Sequence, residues 1–373
     1  MSKKKALVTG ITGQCGSYLA EYLLQKDYEV HGLDRRKSVD NHQNIAGIKA
    51  KIKLIEGDIT DGFSVLSIVD KGKYDEIYNL CAQSHVHTSF EQPLLTYQVN
   101  TVGVLNLLEA IRKSSSHSKF YQASTSEMFG SSLPPQSEET VLHPRSPYGV
   151  SKLASHWLVQ NYHESYKLWV ACGIMFNTES SRRGDNFVTK KITNWVQNYT
   201  DAYATEGSWT PLELGNLDAK RDWSHALDSV DAIYRICNQD LFYNGIHGGE
   251  WRSYCFGSAK AYTVREFLLR SLQLVFNLED VSERFEFMNS GMDEVLWDYV
   301  ENIPCVVVSP KYFRPCEVEY LQCDPTRIKN ELGWKPKHDL DDIIKEMMQD
   351  TLKMYNPGCL VPPVPVTDVS WEK

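Results

Sequence analysis

The 373-residue chain lacks any apolar run of about 18 residues, so no membrane-spanning helix is expected. Basic charge is in deficit: Lys and Arg total 39 against 48 Asp and Glu, a net charge of -9. That balance argues against a nucleic-acid partner or an acidic membrane surface. The nine cysteines, at 15, 81, 172, 237, 255, 305, 316, 323 and 359, form no C-x-x-C pair. An odd, unpatterned set reads as reduced thiols, which excludes a disulfide framework or a zinc site. No metal-ligand spacing, internal repeat or long low-complexity stretch occurs. Met1-Ser2-Lys3-Lys4-Lys5 carries no apolar signal region, so a cytoplasmic location is expected. What is present is ordinary for a globular protein: 42% apolar and 23% charged residues.

Organisation begins with Lys5-Ala6-Leu7-Val8-Thr9, a short apolar strand, followed by Gly10-Ile11-Thr12-Gly13-Gln14-Cys15-Gly16 and an amphipathic helix from Ser17 to about Lys26. Strand, glycine turn and helix is the pattern that brings backbone close to a pyrophosphate at a helix N-terminus. The next strand, Tyr28 to Leu33, runs into Asp34-Arg35-Arg36-Lys37. An acid at this point suits a ribose 2′-hydroxyl, whereas arginines suit a 2′-phosphate, so the cationic residues favour NADP. Strands over 53–58, 76–80, 120–123 and 168–176 and a long helix over about 94–112 continue the alternation. Asp58 is placed to hold the adenine amino group, and Cys81-Ala82-Gln83-Ser84 to line the cofactor. The fold class is therefore α/β, a Rossmann-type doubly wound parallel sheet with a smaller, interleaved α/β C-terminal substrate domain. Residues 1–177 form mainly the nucleotide-binding domain and 178–355 mainly the substrate domain, with a segment of about 215–260 returning to the first. Residues 356–373, proline-rich and aperiodic, read as an extended tail.

The most informative stretch is Ser124-Thr125-Ser126-Glu127-Met128-Phe129-Gly130, then Tyr148-x-x-x-Lys152. Tyr148 and Lys152 share one helix face, and an ammonium beside a phenol favours the phenolate. Alcohol oxidation by a tyrosine base does not need Glu127. Removing a C–H proton next to a carbonyl does.

The combination Thr-Gly-x-x-Gly-x-x-Gly plus Tyr-x-x-x-Lys resembles the extended short-chain dehydrogenases/reductases. Within them the chain resembles the GDP-mannose 4,6-dehydratase family to about Tyr355, through "AQSHVHTSFE", "QASTSEMFG", "SPYGVSKLASHW", "FNTESSRRGDNFVTKKI", "LELGNLDAKRDWSHALD" and "KYFRPCEVEYLQCDP". The resemblance implies conversion of GDP-D-mannose to GDP-4-dehydro-6-deoxy-D-mannose with a recycled NADP and no metal. It assigns Thr125, Glu127, Tyr148 and Lys152 to catalysis. It assigns Gly10, Thr12, Gly13, Gln14, Cys15, Gly16, Arg35, Arg36, Asp58, Ile59, Leu80, Ala82, Ser84, Lys152 and Arg183 to the cofactor. Ser84, Ser126, Asn177, Val188, Lys191, Gly215, Arg221, Arg314 and Glu317 fall to the GDP-sugar, with Glu317 suited to guanine and the two arginines to the diphosphate.

The chain departs from the family pattern at several points. Cys15 stands where aspartate is usual, Thr178 where histidine is usual, and His87-Thr88 where lysine and a small apolar residue are common. Residues 37–44 replace a serine-rich loop that, in the family, reaches a neighbouring subunit. A homodimer or homotetramer is expected, with the altered loop leaving the choice open. The 277–310 segment is also idiosyncratic. A 4,6-dehydratase acting on another GDP-sugar, such as GDP-D-glycero-D-manno-heptose, is the first alternative. A redox-only nucleotide-sugar reductase or epimerase, against which Glu127 speaks, is the second, and a nucleotide-sensing protein without catalysis is the third.

Overall fold

Short runs of β-branched and aromatic residues become strands, and the alternating polar and apolar stretches between them become helices. The computed structural model describes residues 3–205, 207–239 and 251–355. In chain order the strands are β1 (Lys5–Thr9), β2 (Glu29–Asp34), β3 (Lys53–Glu56), β4 (Glu76–Asn79), β5 (Lys119–Thr125), β6 (Val170–Met175) and β7 (Asn177–Glu179). They continue as β8 (Leu212–Leu214), β9 (Lys220–His225), β10 (Ser253–Phe256), β11 (Ala261–Thr263), β12 (Phe285–Met288), β13 (Val295–Asp298) and β14 (Ile303–Val308).

Seven strands pair in the order β10-β6-β5-β4-β1-β2-β3, and every pairing is parallel. β4 is buried along its whole length and β1 along most of it, as a parallel sheet covered on both faces requires. On one face the helices Gln14–Gln25 and Ala226–Asn238 enclose Tyr18, Leu19, Leu23, Val230 and Ile233. On the other, Gly62–Gly72, Gly103–Ser114 and Pro147–Tyr166 enclose Val65, Val69, Leu107, Ile111 and Val159. Each fully buried aliphatic side chain contributes roughly 1.5–3 kcal/mol. Strand order reverses beside β1, which opens a crevice at the carboxyl ends of the strands.

The remaining strands form a three-stranded sheet, β11-β9-β7, and a four-stranded sheet, β12-β13-β14-β8. The helices Val188–Thr205, Val264–Phe276 and Leu340–Met347 pack with them around Trp195, Tyr199, Phe267, Leu272 and Ile343. The chain returns to the large sheet through the helix Ala226–Asn238 and β10, while β8 and β9 stay with the smaller sheets. The 277–310 segment is a meander, β12 to β14, whose last strand runs parallel to β8. Its anchor is Asp298, fully buried, which accepts from Arg284 Nε at 2.9 Å and from Tyr199 Oη.

Strand ends shift by one or two residues from the sequence reading, and two helices differ more. The first helix begins at Gln14, because Gly13 takes the N-cap position. The long helix of about 94–112 divides into Pro93–Tyr97, a π-turn at Gln98–Val102, and Gly103–Ser114. The π-turn points Asn100 inward, where it donates to Gln83 O at 3.0 Å and accepts from Gln83 N at 2.9 Å, fixing the loop after β4. The proline-rich tail, 356–373, and residues 240–250 lie outside the described residues. Among the described residues no helix is long and apolar enough to cross a membrane, and the eight cysteines are free thiols.

Candidate functional site

A cavity of about 1090 Å³ lies at the carboxyl ends of β1, β2, β4, β5 and β6, closed from above by residues that follow β8 and β14. At its floor the glycine loop turns sharply. Gly13 N donates to Gly10 O at 3.0 Å, and a Cβ on Gly16 would stand 2.1 Å from the same oxygen. No side chain caps the helix Gln14–Gln25, so its first-turn N–H groups are not consumed by a cap residue. Bare backbone and an uncapped N-terminus fit a dinucleotide pyrophosphate. Gln14 locks the loop in place: its Nε2 donates to Thr178 O at 2.8 Å and its Oε1 accepts from Ser180 Oγ at 2.8 Å. Asp34, Arg35, Lys37, Asn41, Asp58 and Ile59 line one end of the cavity, and Leu80, Ala82 and Ser84 its wall.

Thr125, Ser126 and Glu127 follow directly from β5, and Tyr148 and Lys152 from the helix whose N-cap, Ser146, accepts from Gly149 N at 3.0 Å. All five side chains line the cavity and are buried. Burial pushes the Tyr148 phenol up to about 12 against the opposing pull of the Thr125 hydroxyl, with Glu127 raising it and Arg183 lowering it. Burial also pushes the Lys152 ammonium down to about 8. Lys152 Nζ donates to Ala123 O at 2.9 Å. At Tyr148 desolvation outweighs the acidifying contacts, which come from Thr125 and Arg183. Glu127 has a buried Oε2 without a hydrogen-bond partner, and its Oε1 lies 3.6 Å from Arg314 Nη1.

The opposite end of the cavity is cationic and aromatic. Arg221 is 6% exposed, donates to Lys220 O at 2.9 Å and approaches Glu317 Oε1 at 3.5 Å. Arg314 reaches the same Glu317 oxygen at 3.9 Å, so Glu317 sits between the two arginines rather than standing alone. Lys191 Nζ lies 3.5 Å above the Tyr312 ring and donates to Glu213 O at 3.0 Å. Gly215 leaves room for the backbone of Tyr312, whose oxygen would be 2.7 Å from a Cβ there. Asn177 and Val188 line the same region. Arg183 stacks on Phe187 at 3.5 Å and pairs with Glu179 at 3.1 Å, facing the glycine loop.

The cavity thus gathers every residue assigned from sequence except Arg36, which is exposed and outside the lining, where Lys37 takes part instead. Sequence reasoning passed over His85, Phe187, Lys311 and Tyr312. His85 contacts Phe187 edge-on at 5.7 Å, and burial, with His87, Arg314 and Arg183, lowers its imidazole. The "AQSHVHTSFE" string after a strand end held the signal for His85. Tyr312 had only its nearness in sequence to Arg314.

A family model described as GDP-mannose 4,6 dehydratase matches residues 7–347. The chain belongs to the GDP-mannose 4,6-dehydratase family. A GDP-mannose 4,6-dehydratase of Vibrio cholerae is 42% identical, covering 97% of each chain. GDP-mannose 4,6 dehydratase 2 of Arabidopsis thaliana is 44% identical, over 94% of this chain and 88% of its own. The fold is shared with a dTDP-glucose 4,6-dehydratase of Bacillus anthracis solved with NAD (TM-score 0.70, 23% identity, 93% of this chain and 96% of that one). It is also shared with a Thermus thermophilus UDP-glucose 4-epimerase solved with NAD (TM-score 0.73, 23% identity, 93% and 98%).

The departures from the family pattern have local explanations. Cys15 lines the cavity as a neutral thiol, pushed up to about 11 by burial. Thr178 turns its hydroxyl to Ser229 Oγ at 3.0 Å and to Phe176 O. His87 lines the cavity beside His85 and pairs with Glu91 at 3.6 Å. The 37–44 loop folds back on its own glycine loop, with Asn41 Nδ2 donating to Thr12 Oγ1 and Asn44 Nδ2 to Thr12 O, both at 3.0 Å.

Proposed function

We propose that this chain dehydrates GDP-D-mannose to GDP-4-dehydro-6-deoxy-D-mannose, with NADP as its recycled hydride carrier. The observation that carries the reading is Glu127: a buried carboxylate oxygen without a partner, in the same cavity as Tyr148, Lys152 and Thr125. Membership of the family and relatives at 41–44% identity across nearly the whole chain support the same substrate. When bound, NADP supplies the acceptor for the C4 hydride and the donor that returns it to C6.

The residues divide the remaining work. Tyr148 takes the proton of the C4 hydroxyl, and Thr125 donates to the same oxygen and holds it in line. Lys152, anchored by Ala123 O, presents a cation beside the reacting face. The C4 ketone acidifies the C5 hydrogen, which Glu127 removes. Glu127, now protonated, delivers that proton to the departing C6 hydroxyl, so water leaves and the carboxylate is restored. As hydride returns to C6, C5 takes up the proton that Tyr148 gained from the C4 hydroxyl, and both residues end in their starting states. Arg221 and Arg314 hold the diphosphate, and Lys191, Glu317 and Tyr312 frame the guanosine end.

NADP is favoured over NAD because Arg35 and Lys37 line the far end of the cavity while Asp34 is engaged by His42 at 2.7 Å. A homodimer is favoured by exposed apolar side chains on neighbouring helices: Tyr97 and Val102 beside Val150 and Trp157. Incubation of the purified protein with GDP-mannose, followed by mass spectrometry, tests the reading. Loss of one water supports it, and Glu127→Gln should reduce that loss by about 10²–10⁴-fold. An unchanged GDP-mannose, with turnover only of a larger GDP-sugar, contradicts it.

A further inference from the structure

We infer that His42 selects the 2′-phosphorylated cofactor by occupying Asp34, a role that rests on the NADP reading above. Asp34 closes β2 and lines the cavity beside Arg35 and Lys37. A carboxylate in that place is the acceptor a ribose 2′-hydroxyl seeks, and it repels a 2′-phosphate. Here its Oδ2 is held by His42 Nε2 at 2.7 Å.

Carboxylates flank the imidazole on both sides. Nε2 is thus directed at Asp34, while Nδ1 lies 2.6 Å from Asp40 Oδ1. Lys49 Nζ donates to Nδ1 at 3.1 Å. Glu56 of β3, the register partner of Asp34, adds negative charge on the far side, and Arg35 and Lys37 face the cavity. The loop that carries His42 is pinned by Asn41 and Asn44 to Thr12 and by the fully buried Ile45. His42 is therefore fixed between Asp34 and Asp40. It engages Asp34 and withholds it from a ribose hydroxyl, leaving Arg35 and Lys37 to meet the phosphate.

The test measures the ratio of dissociation constants for NADH and NADPH, by fluorescence titration of the full chain freed of bound nucleotide, at one fixed pH. For wild type the ratio favours NADPH. His42→Gln lowers the ratio by about tenfold. Asp34→Asn, which keeps the shape of β2, holds a high ratio, and adding His42→Gln to it changes nothing further. Ionisation of the cofactor phosphate is common to all variants and cancels between them. A ratio unmoved by His42→Gln, with NADPH still bound, overturns the inference and leaves the cofactor reading standing. Failure of wild type to bind NADPH overturns both.

Discussion

Arg314 Nη1 stands 3.6 Å from Glu127 Oε1 and 3.9 Å from Glu317 Oε1, and makes no hydrogen bond to either. The guanidinium thus bridges the proposed C5 base and the proposed nucleotide end of the cavity. A residue that only held diphosphate would raise KM when removed. Arg314→Met is expected to raise KM for GDP-mannose and also to lower kcat by about tenfold or more, because Glu127 loses its nearest cation. Steady-state kinetics of the variant checks the split.

Lys152 carries a cost in stability. Its ammonium is pushed from 10.5 down to about 8 by burial, so the unfolded chain binds more protons between those values. Wild-type stability therefore rises with pH across roughly pH 8–10.5, and below that window the cost is full, about 3 kcal/mol before the Ala123 bond is counted. Lys152→Met should be catalytically dead yet more stable at pH 7 by about 1–3 kcal/mol, with the gain shrinking towards pH 10. Chemical denaturation at two pH values measures it.

A buried cluster joins the cofactor floor to the C-terminal helices. Glu346 accepts from Tyr18 Oη at 2.8 Å and Ser181 Oγ at 2.7 Å and is hydrogen-bonded to His225. Burial pushes its carboxyl up, but His225 and Ser181 outweigh this and hold it at about 2. A depressed carboxyl stabilises the fold above its unfolded value of 4.5, and that contribution is lost as pH falls to about 2. Glu346→Gln should lose about 2–3 kcal/mol at pH 7, and the difference from wild type should narrow in acid. Urea unfolding at pH 7 and pH 4 gives the comparison.

Trp157 is 51% exposed on the helix that carries Tyr148. If the apolar face is the dimer interface, Trp157→Glu combined with Val150→Lys yields a monomer by sedimentation. A wild-type monomer, or an oligomer unaffected by the pair, rejects that interface.

The large sheet was legible because its strands are short apolar runs separated by glycine turns and amphipathic helices, and the carboxyl-end rule then places Gly10, Ser84, Thr125 and Asn177 around one crevice. The catalytic cluster was legible because Thr125, Glu127, Tyr148 and Lys152 are close in sequence. Their electrostatics were less so: burial, which spacing does not show, is the largest influence on both Tyr148 and Lys152. The pocket's upper wall was only partly visible. Tyr312 and Lys311 reach it through the pairing of β14 with β8, which joins residues about a hundred apart and leaves no periodic trace. His42 was hidden for a similar reason, since its partners Asp34 and Lys49 meet only once the 37–44 loop folds back.

The central claim is that one chain removes a proton from C5 and expels water while the C4 hydride moves to C6. Turnover of GDP-mannose deuterated at C4, read by mass spectrometry and proton NMR of the product, tests this most directly. The expected result is a 4-keto product that has lost one water and carries the deuterium on its new C6 methyl group. A product that retains the C6 hydroxyl, or deuterium recovered only in free reduced nucleotide, would contradict it.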